Sequence, residues 1–237
     1  MATAEGRLRK FETAETMFRT LADDIVARLK QGVAAEGAAS LVCSGGTTPG
    51  ALYDILAQSE APWSKVSVTL SDERWIAPTE DGSNEKLSRT RLLVGKAAAA
   101  HLVPMKTSDA TPEAAETTVS AAIAAMPRPF DVTLLGMGDD GHTASLYPHS
   151  QGLQKSLDVS DPMLVRGVHT DHAVKTGNRM TLTLRALLDS QWIVILLKGD
   201  SKLRTYNAAI AGTDVQEMPV RALLNQSKTP VQVCWAP

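Results

Sequence analysis

Hydrophobic positions along the chain follow two spacings, one helical and one strand-like. Phe18, Leu21, Ile25 and Leu29 recur every three or four residues, which predicts an amphipathic helix that Gly37 ends. Short, continuously apolar runs predict buried strands instead. These predicted strands are 38–43, 66–70, 131–135, 163–168, 180–184, 192–197 and 231–235.

Proline and serine positions delimit the remaining predicted helices. These helices are 49–56, 85–94, 112–126 and 201–210. Pro49 suits the first turn of its helix. Pro127 and Pro129 stop the alanine-rich helix, and Ser201 is the expected N-cap of the last one. Helices therefore alternate with strands along most of the chain.

Polar residues seldom alternate with apolar ones in these predicted strands, and residues 192–197 include no polar alternation of this kind. Strands of that kind are buried on both faces, as in a parallel sheet between layers of helices. We therefore expect an α/β fold with a mostly parallel sheet flanked by helices on both faces. No linker, repeat or low-complexity tract interrupts the chain, so we expect one domain over residues 1–237.

Composition excludes several classes of partner. The chain has 24 Lys and Arg against 26 Asp and Glu, so it lacks the positive charge of a nucleic-acid-binding protein. Only 4% of its residues are aromatic, which also argues against stacking on bases. No apolar run approaches the roughly 20 residues that span a bilayer. Cys43 and Cys234 fall in predicted buried strands, and no secretory segment follows Met1. We expect a cytoplasmic protein with reduced thiols and no membrane association.

Ligands of parallel α/β folds collect at the carboxyl ends of strands, and four loops with reactive side chains lie there. The first, Ser44-Gly45-Gly46-Thr47, stands between a strand and a helix. Its glycines let a ligand approach the backbone, and the helix N-terminus favours an anion. This pattern predicts a phosphate cradle, with an ordinary tight turn and a capping threonine as the alternative.

The second loop leaves its strand with Asp72, Glu73 and Arg74. Asp72 is a candidate base or hydroxyl acceptor, and Arg74 a candidate anion ligand. A solvated charge cluster is the alternative. The fourth loop region supplies Arg179 and Lys202, which are unremarkable alone but are candidate counter-charges for a phosphate beside the cradle.

The third loop, Gly136-x-Gly138-x-x-Gly141, matches the dinucleotide fingerprint in spacing. Asp139 and Asp140 would repel a pyrophosphate there, although Asp171 mimics the acid that binds a ribose. We therefore favour a turn that presents His142 as a general base, oriented by Asp140. The other histidines, 101, 149, 169 and 172, lack such a setting and are interpreted as structural. No metal-ligand spacing is complete.

Together these motifs resemble the 6-phosphogluconolactonase family, within the wider group that includes glucosamine-6-phosphate deaminase. The matching segments occur in family order along nearly the whole chain. They are Ser-Gly-Gly-Thr-Thr-Pro at 44–49, Asp-Glu-Arg-Trp at 72–75 with Asp81 and Ser83-Asn84, Gly-Met-Gly-Asp-Asp-Gly-His-Thr-Ala-Ser-Leu-Tyr-Pro at 136–148, Arg-Met-Thr-Leu-Thr at 179–183 and Gly-Asp-Ser-Lys at 199–202.

The resemblance implies a modified Rossmann-like fold similar to glucosamine-6-phosphate deaminase, and hydrolysis of a phosphorylated sugar lactone without a cofactor. It implies that His142 activates the water, while Ser44, Gly45, Gly46, Thr47, Arg179 and Lys202 bind phosphate. Asp72 and Arg74 would line the sugar end. Either Arg74 or backbone N–H groups of residues 136–142 would stabilise the oxyanion. We expect a monomer or weak homo-oligomer.

Two rival functions stay open on the sequence alone. Deaminases of the wider group resemble Asp-Gly-His-Ile-Ala-Phe-Asn-Glu-Pro in this motif, and Tyr147 stands where they carry glutamate. A phenol with a pKa near 10 does not replace an ionised carboxylate at neutral pH, which favours the lactonase. A non-catalytic sugar-phosphate sensor is the other rival.

Overall fold

The computed structural model describes residues 7–171 and 176–237. The described helices are α1 (Ala14–Glu36), α2 (Pro49–Ala57), α3 (Asn84–Leu87), α4 (Pro112–Ala124), α5 (Leu153–Leu157), α6 (Leu184–Leu188), α7 (Asp200–Ile210) and α8 (Arg221–Leu224). The described strands are β1 (Leu8–Lys10), β2 (Ala39–Cys43), β3 (Val66–Leu70), β4 (Asp72–Arg74), β5 (His101–Leu102), β6 (Val132–Leu135), β7 (Val165–His169), β8 (Asn178–Leu182), β9 (Ile193–Lys198) and β10 (Val231–Ala236).

Seven strands form one parallel sheet in the order β1-β10-β9-β6-β2-β3-β5. Strands β2 and β6 are buried at every residue, as are the first five residues of β9. The predicted α/β fold with a mostly parallel sheet is thus confirmed. Its core is aliphatic because strands covered on both faces need apolar side chains on both.

A second, three-stranded antiparallel sheet, ordered β4-β8-β7, corrects the sequence interpretation. Residues 72–74 were expected in a loop, and the predicted strands 163–168 and 180–184 were expected in the main sheet. These strands are short and pair only through tertiary contacts, which a local pattern does not reveal. The small sheet carries side chains of β4 and β8 to the edge of the parallel sheet.

Two helix predictions also need correction. Helix α7 begins at Asp200 after Gly199, and no side-chain hydrogen bond caps it, so Ser201 is not its N-cap. The segment predicted as one helix over 85–94 divides into α3 and a wider π-helical turn, Ser88–Leu92. Within the described ranges, no helix is long and apolar enough to cross a membrane.

Helix α1 packs on the sheet through its predicted apolar stripe and through one close contact at Gly32. A methyl group at Gly32 would lie 2.1 Å from Oδ1 of Asp131. The Asp131 carboxylate accepts hydrogen bonds from the backbone N–H and hydroxyl of Ser40, which joins the start of β6 to β2. Burial raises the pKa of Asp131 although Ser40 opposes this. The carboxylate therefore has little freedom to move.

This contact predicts that Gly32→Ala destabilises the protein, although the helix propensity of alanine exceeds that of glycine by about 1 kcal/mol. The added methyl group would displace Asp131 and cost about 1–3 kcal/mol of unfolding free energy. Urea denaturation measures the change. Gln31→Ala, at an exposed position of the same helix, is the matched control and should change stability by less than about 0.5 kcal/mol. A more stable Gly32→Ala variant would contradict the packing argument.

Candidate active site

A cavity of about 280 Å³ opens at the carboxyl ends of the central strands. The residues that follow β2, β3, β6 and β9 all reach it, as expected where strand order reverses in a parallel sheet. Nine residues singled out from the sequence line it: Ser44, Gly45, Gly46, Thr47, Asp72, Arg74, His142, Arg179 and Lys202. The tenth, Asp140, contacts His142 instead of lining the cavity.

The His142 imidazole is held by Asp140. Its Nδ1 lies 2.6 Å from Oδ1 of Asp140, which also accepts the His142 backbone N–H at 3.1 Å. Burial opposes the charge on Asp140, but the hydrogen bonds and charge of His142 outweigh it and lower the pKa of this carboxyl. A carboxylate at Nδ1 selects the tautomer that leaves Nε2 as the basic nitrogen. The arrangement suits a general base.

The glycine turn around this pair is built for close contact, not for a nucleotide. A methyl group at Gly138 would lie 2.1 Å from Nδ1 of His142 and 2.4 Å from Oδ1 of Asp140. The next helix along the chain, α5, begins only at Leu153, so the turn does not lead directly into a helix as the glycines of a dinucleotide site do. The dinucleotide interpretation therefore lacks the element that binds a pyrophosphate.

Asp72 is buried and its carboxylate is surrounded by donors. Oδ2 accepts the hydroxyl of Ser145 at 2.6 Å, and Oδ1 accepts that of Ser71 at 3.0 Å. The Asn84 amide lies 3.4 Å from Oδ1, and Nη1 of Arg179 lies 3.9 Å from Oδ2. These donors fix the orientation of the carboxylate. The geometry suits an acceptor for a ligand hydroxyl better than a mobile base.

Arg74 and Arg179 are neighbours because they pair across β4 and β8. Nη1 of Arg74 donates to the carbonyl of Gly82 and to Oδ1 of Asn84, the latter at 3.3 Å. Arg179 is only 3% exposed. Two guanidinium groups held side by side at a cavity favour an anionic ligand.

Glu73, between Asp72 and Arg74, faces away from the cavity. Its carboxylate accepts the backbone N–H groups of Arg74, Asn84 and Glu85 at 2.7–2.8 Å, and the Ser83 hydroxyl at 2.9 Å. Burial raises its pKa, and these hydrogen bonds oppose the shift. Glu73 thus holds the segment that carries Asn84 into the site, while its neighbours Asp72 and Arg74 line the cavity.

The predicted phosphate cradle lies at the N-terminus of α2. Thr48 occupies the N-cap position, but its side chain makes no capping hydrogen bond, which removes the capping alternative. The buried Tyr53 hydroxyl donates to the Ser44 carbonyl at 2.6 Å and anchors the loop from behind. Thr47, Thr48 and Pro49 line the cavity, so the N-terminus of this nine-residue helix lies at its wall, where the helix dipole favours an anion.

Lys202 reaches the cavity from the first turn of α7. Its Nζ lies 3.0 Å from Oδ1 of Asp139, which also accepts the Ser201 hydroxyl at 3.3 Å. The hydrogen bond from Lys202 lowers the pKa of Asp139. Asp139, whose charge would repel the pyrophosphate of a nucleotide, thus holds a lysine beside the site.

Among the polar and charged side chains that line the cavity, three were given no site role from the sequence: Asn84, Tyr147 and Lys198. Asn84 and Tyr147 lie within the recognised motifs, so their positions carried a signal. Lys198 ends a buried strand, and nothing local distinguishes it from a solvent-facing lysine. His101, His149 and His169 do not line the cavity, and His172 lies outside the described residues.

Cys43 and Cys234 are buried free thiols, and burial raises the pKa of each to about 12. Neither is poised as a nucleophile. Over 7–171 and 176–237, no three His, Cys, Asp or Glu side chains are grouped to hold a metal ion.

The chain is similar to known proteins along nearly its whole length. A family model described as glucosamine-6-phosphate isomerases/6-phosphogluconolactonase matches residues 12–235. A 6-phosphogluconolactonase of Rhizobium meliloti (strain 1021) is 42% identical over 96% of this chain and 97% of its own. The crystal structure of a 6-phosphogluconolactonase from Shewanella baltica OS155 matches with a TM-score of 0.94 and 40% identity over 97% of both chains. A monomeric glucosamine-6-phosphate deaminase shares the fold, with a TM-score of 0.80 over 97% of both chains at 16% identity.

The role of Glu73 predicts that Glu73→Ala destabilises the protein and loosens residues 83–85. The backbone N–H groups of Arg74, Asn84 and Glu85 lose their acceptor, at a cost of about 1–3 kcal/mol for each buried group left unsatisfied. Urea denaturation measures the stability, and hydrogen exchange at Asn84 and Glu85 measures the loosening. Glu80→Ala, at an exposed position of the same loop, is the control. Unchanged exchange at both amides would contradict this role.

Proposed function

The chain belongs to the glucosamine-6-phosphate isomerase/6-phosphogluconolactonase family, and from this premise we propose how its site hydrolyses 6-phospho-D-glucono-1,5-lactone to 6-phosphogluconate, a step of the pentose phosphate pathway. The observation that carries the mechanism is the His142–Asp140 pair at 2.6 Å. It stands in a cavity whose other walls supply cations and a helix N-terminus.

In the proposed reaction, His142 Nε2 takes a proton from a water molecule as its oxygen bonds to C1 of the lactone. The C1–O5 bond then breaks, and the imidazolium returns the proton to O5, which becomes the hydroxyl group of the open chain. Asp140 orients the ring and stabilises its transient charge. The lactone is an activated ester, so no covalent nucleophile is needed.

Arg74 is the stronger of the two candidates for stabilising the oxyanion. The alternative was a set of backbone N–H groups in the 136–142 turn. Those of Gly138, Gly141 and His142 already donate within the turn, to the carbonyls of His142 and Gly138 and to Asp140. Arg74 lines the cavity beside Asp72 and carries a fixed positive charge.

The phosphate group is assigned to the Ser44–Thr47 loop, Arg179 and Lys202. The loop offers hydroxyl and backbone donors at a helix N-terminus, and the two cations balance a dianion. Lys198, on the strand that leads to Lys202, adds a further positive charge to the cavity wall. Asp72 accepts a hydroxyl group of the sugar.

We also propose that the enzyme acts without a cofactor, in the cytoplasm, as a single domain that is a monomer or a weak homo-oligomer. The reduced, buried thiols support the compartment. A near-neutral charge balance gives no reason for a nucleic-acid partner. The phosphorylated sugar lactone is the expected partner.

The assay that tests this function supplies freshly generated 6-phosphogluconolactone and subtracts its spontaneous hydrolysis. Ammonia release from glucosamine 6-phosphate measures the rival deaminase activity in the same preparation. Tyr147, which stands where the deaminases carry glutamate, supports the lactonase. Ammonia release without lactone hydrolysis would reverse the assignment, and product binding without either turnover would favour a sensor.

His142→Ala should lower kcat by about 10²–10⁴-fold, because the water loses its base. Binding of 6-phosphogluconate, measured by calorimetry, should change little. His101→Ala is the control, since this exposed histidine lies in β5 outside the cavity. A His142→Ala enzyme with the full lactonase rate would exclude His142 as the base.

Lys202→Ala should raise KM for the phosphorylated lactone by about 10-fold or more, because one counter-charge to the phosphate is lost. KM for unphosphorylated glucono-1,5-lactone should not change. Arg204→Ala, at an exposed position of the same helix, is the matched control. Equal increases of KM for both lactones would remove Lys202 from the phosphate site.

A further inference from the structure

The segment that follows His142 is a tight turn, pinned at several points. The Thr143 hydroxyl donates to the Gly136 carbonyl at 2.8 Å, and the Leu146 N–H donates to the Thr143 carbonyl at 3.0 Å. Ala144 has a φ of 50°, a left-handed conformation that is uncommon for a residue with a Cβ atom. The Ser145 hydroxyl donates to Asp72. The turn is thus fixed to both β6 and β4.

This turn folds Tyr147 back against His142. The two rings have centroids 4.2 Å apart and planes tilted by 31°. The Arg179 guanidinium carbon lies 5.4 Å from the centroid of the same tyrosine ring. Tyr147 is 8% exposed and lines the cavity. Its ring therefore restricts the imidazole on a side that Asp140 does not reach.

The tyrosine hydroxyl is a poor candidate for proton transfer. Burial raises the pKa of Tyr147, an effect that nearby Arg179 and Arg74 oppose and that Asp72 and Asp140 reinforce. A phenol with a raised pKa is neutral near pH 7, so the ring face carries any effect on His142. Contacts between aromatic rings stabilise a packed pair beyond the burial of its apolar surface, which favours one orientation of the imidazole.

We propose that Tyr147 is a positioning residue for the reaction, whose ring face holds the His142 imidazole in the orientation in which Nδ1 meets Asp140. Its effect on rate rests on the proposed role of His142 as the base. Its effect on the imidazole does not, because that effect follows from the contacts of the His142 ring with Tyr147 and Asp140. The two effects can therefore be measured separately.

The first measurement is kinetic and compares variants with and without a ring. Tyr147→Leu and Tyr147→Met remove the ring, and methionine fills the space if leucine impairs folding. Each should lower kcat by about 10- to 100-fold, the effect expected of a reactive group misplaced by about 1 Å, with little change in KM. Tyr147→Phe keeps the ring face, so its kcat should stay within about threefold of the wild-type value.

The second measurement is spectroscopic and needs no substrate. ¹⁵N chemical shifts of labelled histidine report which ring nitrogen carries the proton, and His142→Ala identifies the signal among the five histidines. The wild-type protein and Tyr147→Phe should show the tautomer protonated at Nδ1. Ring-deleted variants should show a mixture, because the imidazole turns away from Asp140.

The combined outcomes separate this inference from the function on which it rests. An unchanged tautomer in both ring-deleted variants would overturn the positioning role whatever the rates. A loss of kcat in Tyr147→Phe as large as in Tyr147→Met would also overturn it, since the hydroxyl group would then be the active part. A changed tautomer with full kcat would uphold the positioning of the ring and refute His142 as the base.

Discussion

Strands β2 and β6 lie side by side in the parallel sheet, and the chain leaves them towards opposite edges, to β3 from one and towards β9 from the other. Two neighbouring strands whose connections diverge leave a crevice beyond their carboxyl ends. The Ser44–Thr47 loop follows β2, and the His142 turn follows β6. The site depends on this reversal, because it brings together segments almost a hundred residues apart.

The small antiparallel sheet adds what the crevice lacks. It places Asp72 and Arg74 opposite Thr181 and Arg179, so that charged side chains from two strands meet at the cavity. Net charge of the chain is −2, yet this wall is rich in cations. A local concentration of charge on a nearly neutral protein suits recognition of a small dianion.

Much of this site could be predicted from the sequence, for a physical reason. Glycines, hydroxyl groups and charges that follow apolar strands must meet at one edge of a parallel sheet, so Ser44 and His142 could be grouped without coordinates. The different roles of Asp72 and Glu73 could not be predicted. Adjacent residues of a strand point to opposite sides, but the sequence does not indicate that residues 72–74 form a strand.

Pairing between distant segments also escaped prediction. Strand β4 was interpreted as a loop because three polar residues carry no periodic signal, and it forms only against β8. The contact of Tyr147 with His142 depends on a left-handed Ala144, which no residue preference indicates. Lys198 lies at the cavity because β9 lies between β6 and β10, and the sequence alone does not indicate that strand order.

A structure of the protein in complex with 6-phosphogluconate would show directly whether the proposed site binds in the proposed orientation. We expect the phosphate group at the Ser44–Thr47 loop and Lys202, with the C1 carboxylate within hydrogen-bond distance of His142 Nε2. A product bound in the opposite direction, with its phosphate group at His142, would contradict it. So would a product bound outside this cavity.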